Sequence, residues 1–159
     1  MKKVMFISST GGHLDELLQL KSLFDKYDYS IVTEKTKSNL SLKNKYKNRV
    51  HFLVYGTYTT KLNKIIYPFK LLFNTIKSLF LYLKIRPEVI ISTGAHTAGP
   101  MCLIGHLLGS KIIYIETFAN SSSKSKTGSI VYKFADLFIV QWESMLDIYP
   151  NAVYGGWIF

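Results

Sequence analysis

Short apolar runs recur along this chain, at residues 4–8, 29–33, 50–55, 89–92, 111–116 and 137–141, and most are separated by stretches of helix or loop length. Strands joined through such crossovers return in the same direction, so the pattern is βαβ and the expected sheet is parallel. Several runs are continuously apolar rather than alternating, which is the signature of strands covered on both faces. The fold expected is α/β, a Rossmann-like doubly wound sheet. With 159 residues and 48% hydrophobic content, the chain can bury one core and is short for two, so a single domain over 1–159 is expected.

Cys102 is the one cysteine and sits in the apolar run 101–104, which excludes a disulfide framework within the chain and suits a reducing cytosol. The opening Met-Lys-Lys and apolar run resemble a signal-peptide start, but polar residues 8–13 end the run too early, so neither cleavage nor export is expected. Residues 120–128 read as a polar loop. Residues 150–159 read as a last strand followed by Gly155, Gly156 and an apolar Trp157-Ile158-Phe159 end, to be covered either by a partner or by the chain's own fold.

The formal charge of +10 is concentrated. No acid occurs between Lys35 and Pro87, and that third of the chain holds twelve of the twenty basic residues. Such a segment attracts a polyanion, and nucleic acid and anionic lipid meet that demand equally. The apolar pattern of residues 61–86 separates them. Lys70, Lys77 and Lys84 recur every seven residues and form one stripe on an α-helix, at about 100° per residue. Asn63 and Asn74 fall beside the stripe, leaving a wide arc of Ile65, Ile66, Phe69, Leu72, Phe73, Ile76, Leu79, Phe80 and Leu83.

A helix crossing the bilayer would carry these lysines into hydrocarbon at a cost of about 2.5 to 3.5 kcal/mol for one near the centre. Lying in the interface lets them reach lipid phosphates while the apolar arc enters the headgroup boundary. Lys70, Phe73, Lys77, Phe80 and Lys84 are therefore the expected membrane-binding residues, on a helix from about Pro68 to Lys84. The other reading is a core helix with its lysines in water. Lys43, Lys45, Lys47 and Arg49 add attraction to an anionic leaflet, or form a solvated basic loop. A groove for nucleic acid is disfavoured by so many interleaved aliphatic residues, and no nucleic-acid partner is expected.

Two glycine loops carry candidate chemistry. Ser8-Ser9-Thr10-Gly11-Gly12-His13 joins the first strand to the first helix, where open α/β sheets bind ligands. Its backbone N–H groups and the helix N-terminus suit a diphosphate. It lacks the GxGxxG spacing of dinucleotide folds and the Lys-Ser/Thr of a P-loop, which removes the main support for NAD and ATP. Residues 92–100 repeat the arrangement, with Gly94, Ala95, His96 and Thr97 after the fourth run. Each loop brings a histidine, and Glu116 ends a strongly apolar strand at the same edge; a strand-end glutamate is equally a turn or cap partner.

Together these residues resemble the amino-terminal half of GT-B glycosyltransferases of family 28. Thr10-Gly11-Gly12-His13 is similar to the first glycine loop of the MurG-type lipid-linked sugar transferases, and residues 92–100 to the second. Glu116, Phe134-Ala135-Asp136, Tyr149-Pro150-Asn151-Ala152 and Gly155-Gly156 follow in the order of that half. The resemblance covers nearly the whole chain and stops where the donor-binding domain would begin.

It is strongest to the split members, namely the acceptor subunit of the eukaryotic dolichol-linked N-acetylglucosaminyltransferase and bacterial capsule or exopolysaccharide subunits of the PssD kind. The resemblance implies a peripheral subunit at the cytoplasmic face of a bacterial plasma membrane. It would hold a lipid-diphosphate-linked acceptor, while a partner subunit binds the UDP-sugar, the donor substrate. Inverting transfer is implied, with His13 as general base and Glu116 as rival base or acceptor-binding residue. Thr10, Gly11, Gly12, Gly94, Ala95, His96 and Thr97 would hold the acceptor diphosphate. No cofactor or metal is expected, because no Asp-x-Asp motif occurs. A second reading is a non-catalytic membrane adaptor that recruits and activates a self-sufficient transferase.

Overall fold

The computed structural model describes residues 1–56 and 61–159 and, within these, the side chains of all but 61–64. Seven strands form one sheet: β1 (Lys3–Ser8), β2 (Asp28–Glu34), β3 (Val50–Leu53), β4 (Val89–Gly94), β5 (Lys111–Ile115), β6 (Leu137–Val140) and β7 (Val153–Tyr154). Their order is β3-β2-β1-β4-β5-β6-β7 and each pairing is parallel. Phe6 of β1 pairs with Ile31 on one side and Ile91 on the other. The chain therefore leaves β1 towards one edge and returns to β4 on its other side, so the strand order reverses between these two strands. This reversal opens a crevice at their carboxyl ends.

The helices are α1 (Gly12–Gln19), α2 (Leu42–Tyr46), α3 (Lys61–Ile85), α4 (Ala98–Leu107) and α5 (Lys126–Val131). Alternate residues of β1 serve two cores. Val4 and Phe6 pack with Leu14 and Leu17 of α1, while Met5 and Ile7 pack with Met101 and Cys102 of α4 and Tyr82 of α3. Both faces of the central strands are thus covered, which is why their sequences are apolar without alternation. Burial pushes the Cys102 thiol up to about 12, so it is an unreactive core residue.

One sequence expectation changes and two open alternatives are narrowed. Pro68 does not break α3, which runs from Lys61 through it. The proline lies on an exposed side near the start, where a carbonyl deprived of its helical donor can be solvated. The basic stretch between β2 and β3 folds into short helical turns, α2 among them, and leaves Lys43, Lys45, Lys47 and Arg49 exposed. Arg49 bonds Asp28 at 2.8 Å and stacks over the Tyr29 ring. At the C-terminus, Ile158 and Phe159 pack against the α1-side core, whereas Trp157 stays exposed beside Phe118.

Candidate functional site

The two glycine loops meet over the crevice between β1 and β4. The Ser9 N–H donates to the Gly94 carbonyl at 2.8 Å, and the Ala95 N–H to Ser9 Oγ at 3.2 Å. Gly11 and Gly94 have φ of +79° and +92°, a region where a side chain is strained, and a Cβ on Gly94 would lie 2.9 Å from the Tyr114 hydroxyl. Above Gly11 and Gly12 the described residues leave open space, with none of them within 4 Å of where a Cβ would sit. At the start of α1 the N–H groups of Gly12 and His13 have no intrahelical acceptor, which leaves them suited to an anion.

His13 is gripped by Thr93 from both sides. Thr93 Oγ1 donates to the His13 carbonyl at 2.6 Å, and His13 Nδ1 lies 2.8 Å from the Thr93 carbonyl. A carbonyl oxygen only accepts, so Nδ1 carries the hydrogen and Nε2 of the neutral ring keeps its lone pair. The ring is partly exposed, at 28%, and the geometry leaves a base at Nε2.

Beneath these loops lies a carboxylate that the sequence reading missed. Glu34, at the end of β2, is 1% exposed. Its Oε2 accepts from the Thr10 N–H at 3.2 Å, while Oε1 accepts from Thr97 Oγ1 at 2.5 Å and from the Gly56 N–H at 3.4 Å. His96 Nε2 lies 4.0 Å from Oε1 and 3.2 Å from the Gly56 carbonyl. Glu34 therefore ties together the loops after β1, β3 and β4. The pattern that singled out Glu116 was weaker here, because β2 carries Ser30 and Thr33 before its terminal acid whereas β5 is apolar from Ile112 up to Glu116.

This network engages part of the expected diphosphate cradle. The Thr10 and Ala95 N–H groups and the Thr97 hydroxyl are bonded within the protein, and the Gly94 N–H bonds Ser92 Oγ at 3.0 Å. Gly11 and Gly12 remain open to a ligand. Glu116 is also turned inward: it is 1% exposed and accepts from Ser125 Oγ at 2.9 Å, Tyr149 Oη at 3.2 Å, the Thr117 N–H at 3.2 Å and Asn120 Nδ2 at 3.4 Å. Burial, and then the Glu116 charge, push the Tyr149 phenol up to about 12, so it stays a neutral donor to that carboxylate. Glu116 organises the loop before α5 through Ser125, whose hydroxyl also accepts from the Gly128 N–H at 2.9 Å. Among the described residues no three side chains of metal-ligating type converge.

A second candidate surface lies on α3. Asn74 and Ser78 are 3% and 0% exposed and Tyr82 is buried, whereas Phe69 and Phe80 are 71% and 68% exposed, along with Ile65, Leu72, Phe73, Ile76 and Leu83. The helix thus sets its more polar side on the protein and its apolar side outward. Asn74 makes this possible by bonding both the N–H and the carbonyl of Val54, each at 2.8 Å, and Tyr82 Oη bonds Ser110 Oγ at 2.8 Å. Lys70 and Lys77 are half-buried at the border between the two sides, and Lys84 is exposed. The placement expected for the Asn63 side chain lies outside the described residues. Among the described residues no helix is long and apolar enough to cross a membrane.

A parallel sheet in this order, with two glycine loops joined over its reversal point, defines the class: a Rossmann-like domain of the kind found in GT-B transferases. MurG of Acinetobacter baumannii superposes with a TM-score of 0.73 at 21% identity, over 91% of this chain and 43% of that one. A UDP-GlcNAc 2-epimerase of Methanocaldococcus jannaschii superposes with a TM-score of 0.70 at 13% identity, over 94% of this chain and 43% of that one. At such identities the likeness is one of fold.

The sequence is more specific. The family described as "Oligosaccharide biosynthesis protein Alg14 like" matches residues 4–158, and the chain belongs to it. The "UDP-N-acetylglucosamine transferase subunit alg14" of Schizosaccharomyces pombe is 30% identical over 177 residues, covering 98% of this chain and 82% of that protein. The subunit ALG14 of Homo sapiens is 31% identical over 94 residues, 53% of this chain and 44% of that protein. The chain thus spans less than half the length of the human subunit and of the MurG chain it matches.

Proposed function

We propose that this chain is the acceptor-binding, membrane-associating subunit of a two-chain inverting glycosyltransferase, with the UDP-sugar held mainly by a partner subunit. The observation that carries this is His13, fixed by Thr93 with no described residue bonding Nε2, beside the space that the described residues leave open over Gly11 and Gly12. In the transfer, His13 Nε2 takes the proton of an acceptor hydroxyl as that oxygen bonds the anomeric carbon, and the sugar's bond to UDP breaks with the electron pair leaving on the diphosphate. The N–H groups at the start of α1 hold the acceptor's lipid-linked diphosphate. The outward apolar side of α3, bordered by Lys70, Lys77 and Lys84, lies in the cytoplasmic interface of a bacterial plasma membrane and brings the site to that lipid. Membership of a family whose relatives are named N-acetylglucosamine transferase subunits supports a UDP-sugar donor. The resemblance to PssD-kind subunits supports a capsular or exopolysaccharide product.

The test is transfer from a panel of UDP-sugars to a polyprenyl-diphosphate-linked saccharide, using membranes with this chain, its candidate partner, or both. Activity only with both chains, lost in His13→Ala while partner and membrane binding persist, is the expected result. Activity from the partner alone would make the chain a non-catalytic adaptor, and activity from this chain alone would overturn the split arrangement.

A further inference from the structure

Glu16 stands three residues after His13, on the same side of α1. Its Oε1 is held by two donors from the segment after β5, Thr117 Oγ1 at 2.7 Å and the Phe118 N–H at 3.0 Å. That segment is itself fixed, since Trp142 Nε1 donates to the Phe118 carbonyl at 2.7 Å and the two rings pack at 4.7 Å. Oε2 is buried and has no hydrogen-bond partner among the described residues. It lies 3.9 Å from His13 Nδ1.

A buried carboxylate oxygen without a donor is costly unless a positive charge comes within reach. The imidazole at 3.9 Å is the group that can acquire one. We infer that Glu16 is a positioning residue for His13, a fixed negative charge that holds the ring's orientation and stabilises the imidazolium formed when Nε2 takes a proton. The inference rests on the reading of His13 as base. During transfer the proton moves from the acceptor hydroxyl to Nε2, the acceptor oxygen bonds the anomeric carbon, and UDP departs with the electrons of the broken bond. Glu16 takes no proton in this step. Its charge lowers the cost of the cation that appears 3.9 Å away.

The other titratable groups nearby do not supply this charge. Asp15 is exposed. Tyr114, across Gly94 from the ring, has its phenol pushed well above the ordinary range by burial and then by the charge of Glu116, so it stays neutral. Glu34 is engaged with Thr10, Gly56, Thr97 and His96, and Glu116 with Ser125 and Tyr149.

Glu16→Gln keeps an oxygen for Thr117 and Phe118 and removes the charge. With partner and membranes, kcat for transfer is expected to drop roughly threefold to tenfold as the base loses its counter-charge, with KM for the UDP-sugar unchanged. Glu16→Asp, which keeps the charge, is expected to recover part of that loss, and it serves should Glu16→Gln fail to fold. An unchanged kcat in a folded Glu16→Gln protein overturns the inference, as does a loss carried by KM. Transfer that survives in His13→Ala overturns His13 as the base, whereas transfer lost in His13→Ala and retained in full in Glu16→Gln overturns the role of Glu16 alone.

Discussion

The loop crevice and the outer side of α3 depart from ordinary burial in opposite directions. At the carboxyl edge of the sheet Glu34 and Glu116 are buried and Glu16 is half-buried, whereas α3 exposes aromatic and aliphatic side chains and turns Asn74 and Ser78 inward. Donors surround the carboxylates of Glu34 and Glu116 and hold one oxygen of Glu16, so these groups fix loop shapes directionally. Exposed apolar groups of this extent mark contact with something equally apolar. One region is built to hold a geometry and the other to change its surroundings, and substitutions should separate the two.

The largest effect is expected at His13. His13→Ala should lower partner-dependent transfer by about a hundredfold or more, leaving vesicle binding unchanged; a parallel loss of vesicle binding would tie the two regions together. Next, Phe73→Glu with Phe80→Glu should weaken sedimentation with anionic vesicles roughly a hundredfold without lowering the melting temperature in water, since neither side chain supports the core. Gly128→Ala should cost about 2 kcal/mol in urea unfolding, because its Cβ would lie 2.2 Å from Glu116 Oε2 and 2.5 Å from Ser125 Oγ. Replacing Lys70, Lys77 and Lys84 by Gln one at a time should each remove about 1 kcal/mol of vesicle binding at low salt and less at high salt.

The smallest effect crosses between layers. Burial, and then the charge of Lys84, hold the His51 imidazole below its ordinary value. A histidine whose folded value lies below the unfolded one destabilises the protein as pH falls through the ordinary range. Lys84→Gln should raise the His51 value and slightly lessen the loss of melting temperature on acidification from pH 7.5 to 5.5.

Much of the fold was legible because both faces of the sheet are covered, which leaves apolar runs that polar loops cannot imitate. The glycine loops were legible for the same reason, since they fall where those runs end. Glu34 was not, because its partners Thr10, Gly56 and Thr97 lie 24, 22 and 63 residues away, and pattern alone assigns an acid at a strand end to solvent. Glu16 was closer to hand, as its spacing from His13 places both on one side of a helix. The commitment of the Ala95 N–H to Ser9 was beyond reach, depending on how two loops 86 residues apart meet. On α3 the lysine stripe gave the periodicity, but the direction of the helix was set by Asn74, whose amide can replace a strand's backbone partner.

If α3 lies in a bilayer interface as proposed, that replacement would govern how the helix behaves there. A helix held to its domain by oily contact alone would lose its reason to stay in an oily solvent, which dissolves the adhesive as readily as the protein surface does. The two bonds between the Asn74 amide and Val54 respond in the opposite sense, because amide hydrogen bonds strengthen as water is removed and the surrounding polarity falls. Under the proposed membrane association, immersion would tighten this fastening, and α3 would carry its aromatic side into a bilayer as a fixed keel beneath the sheet.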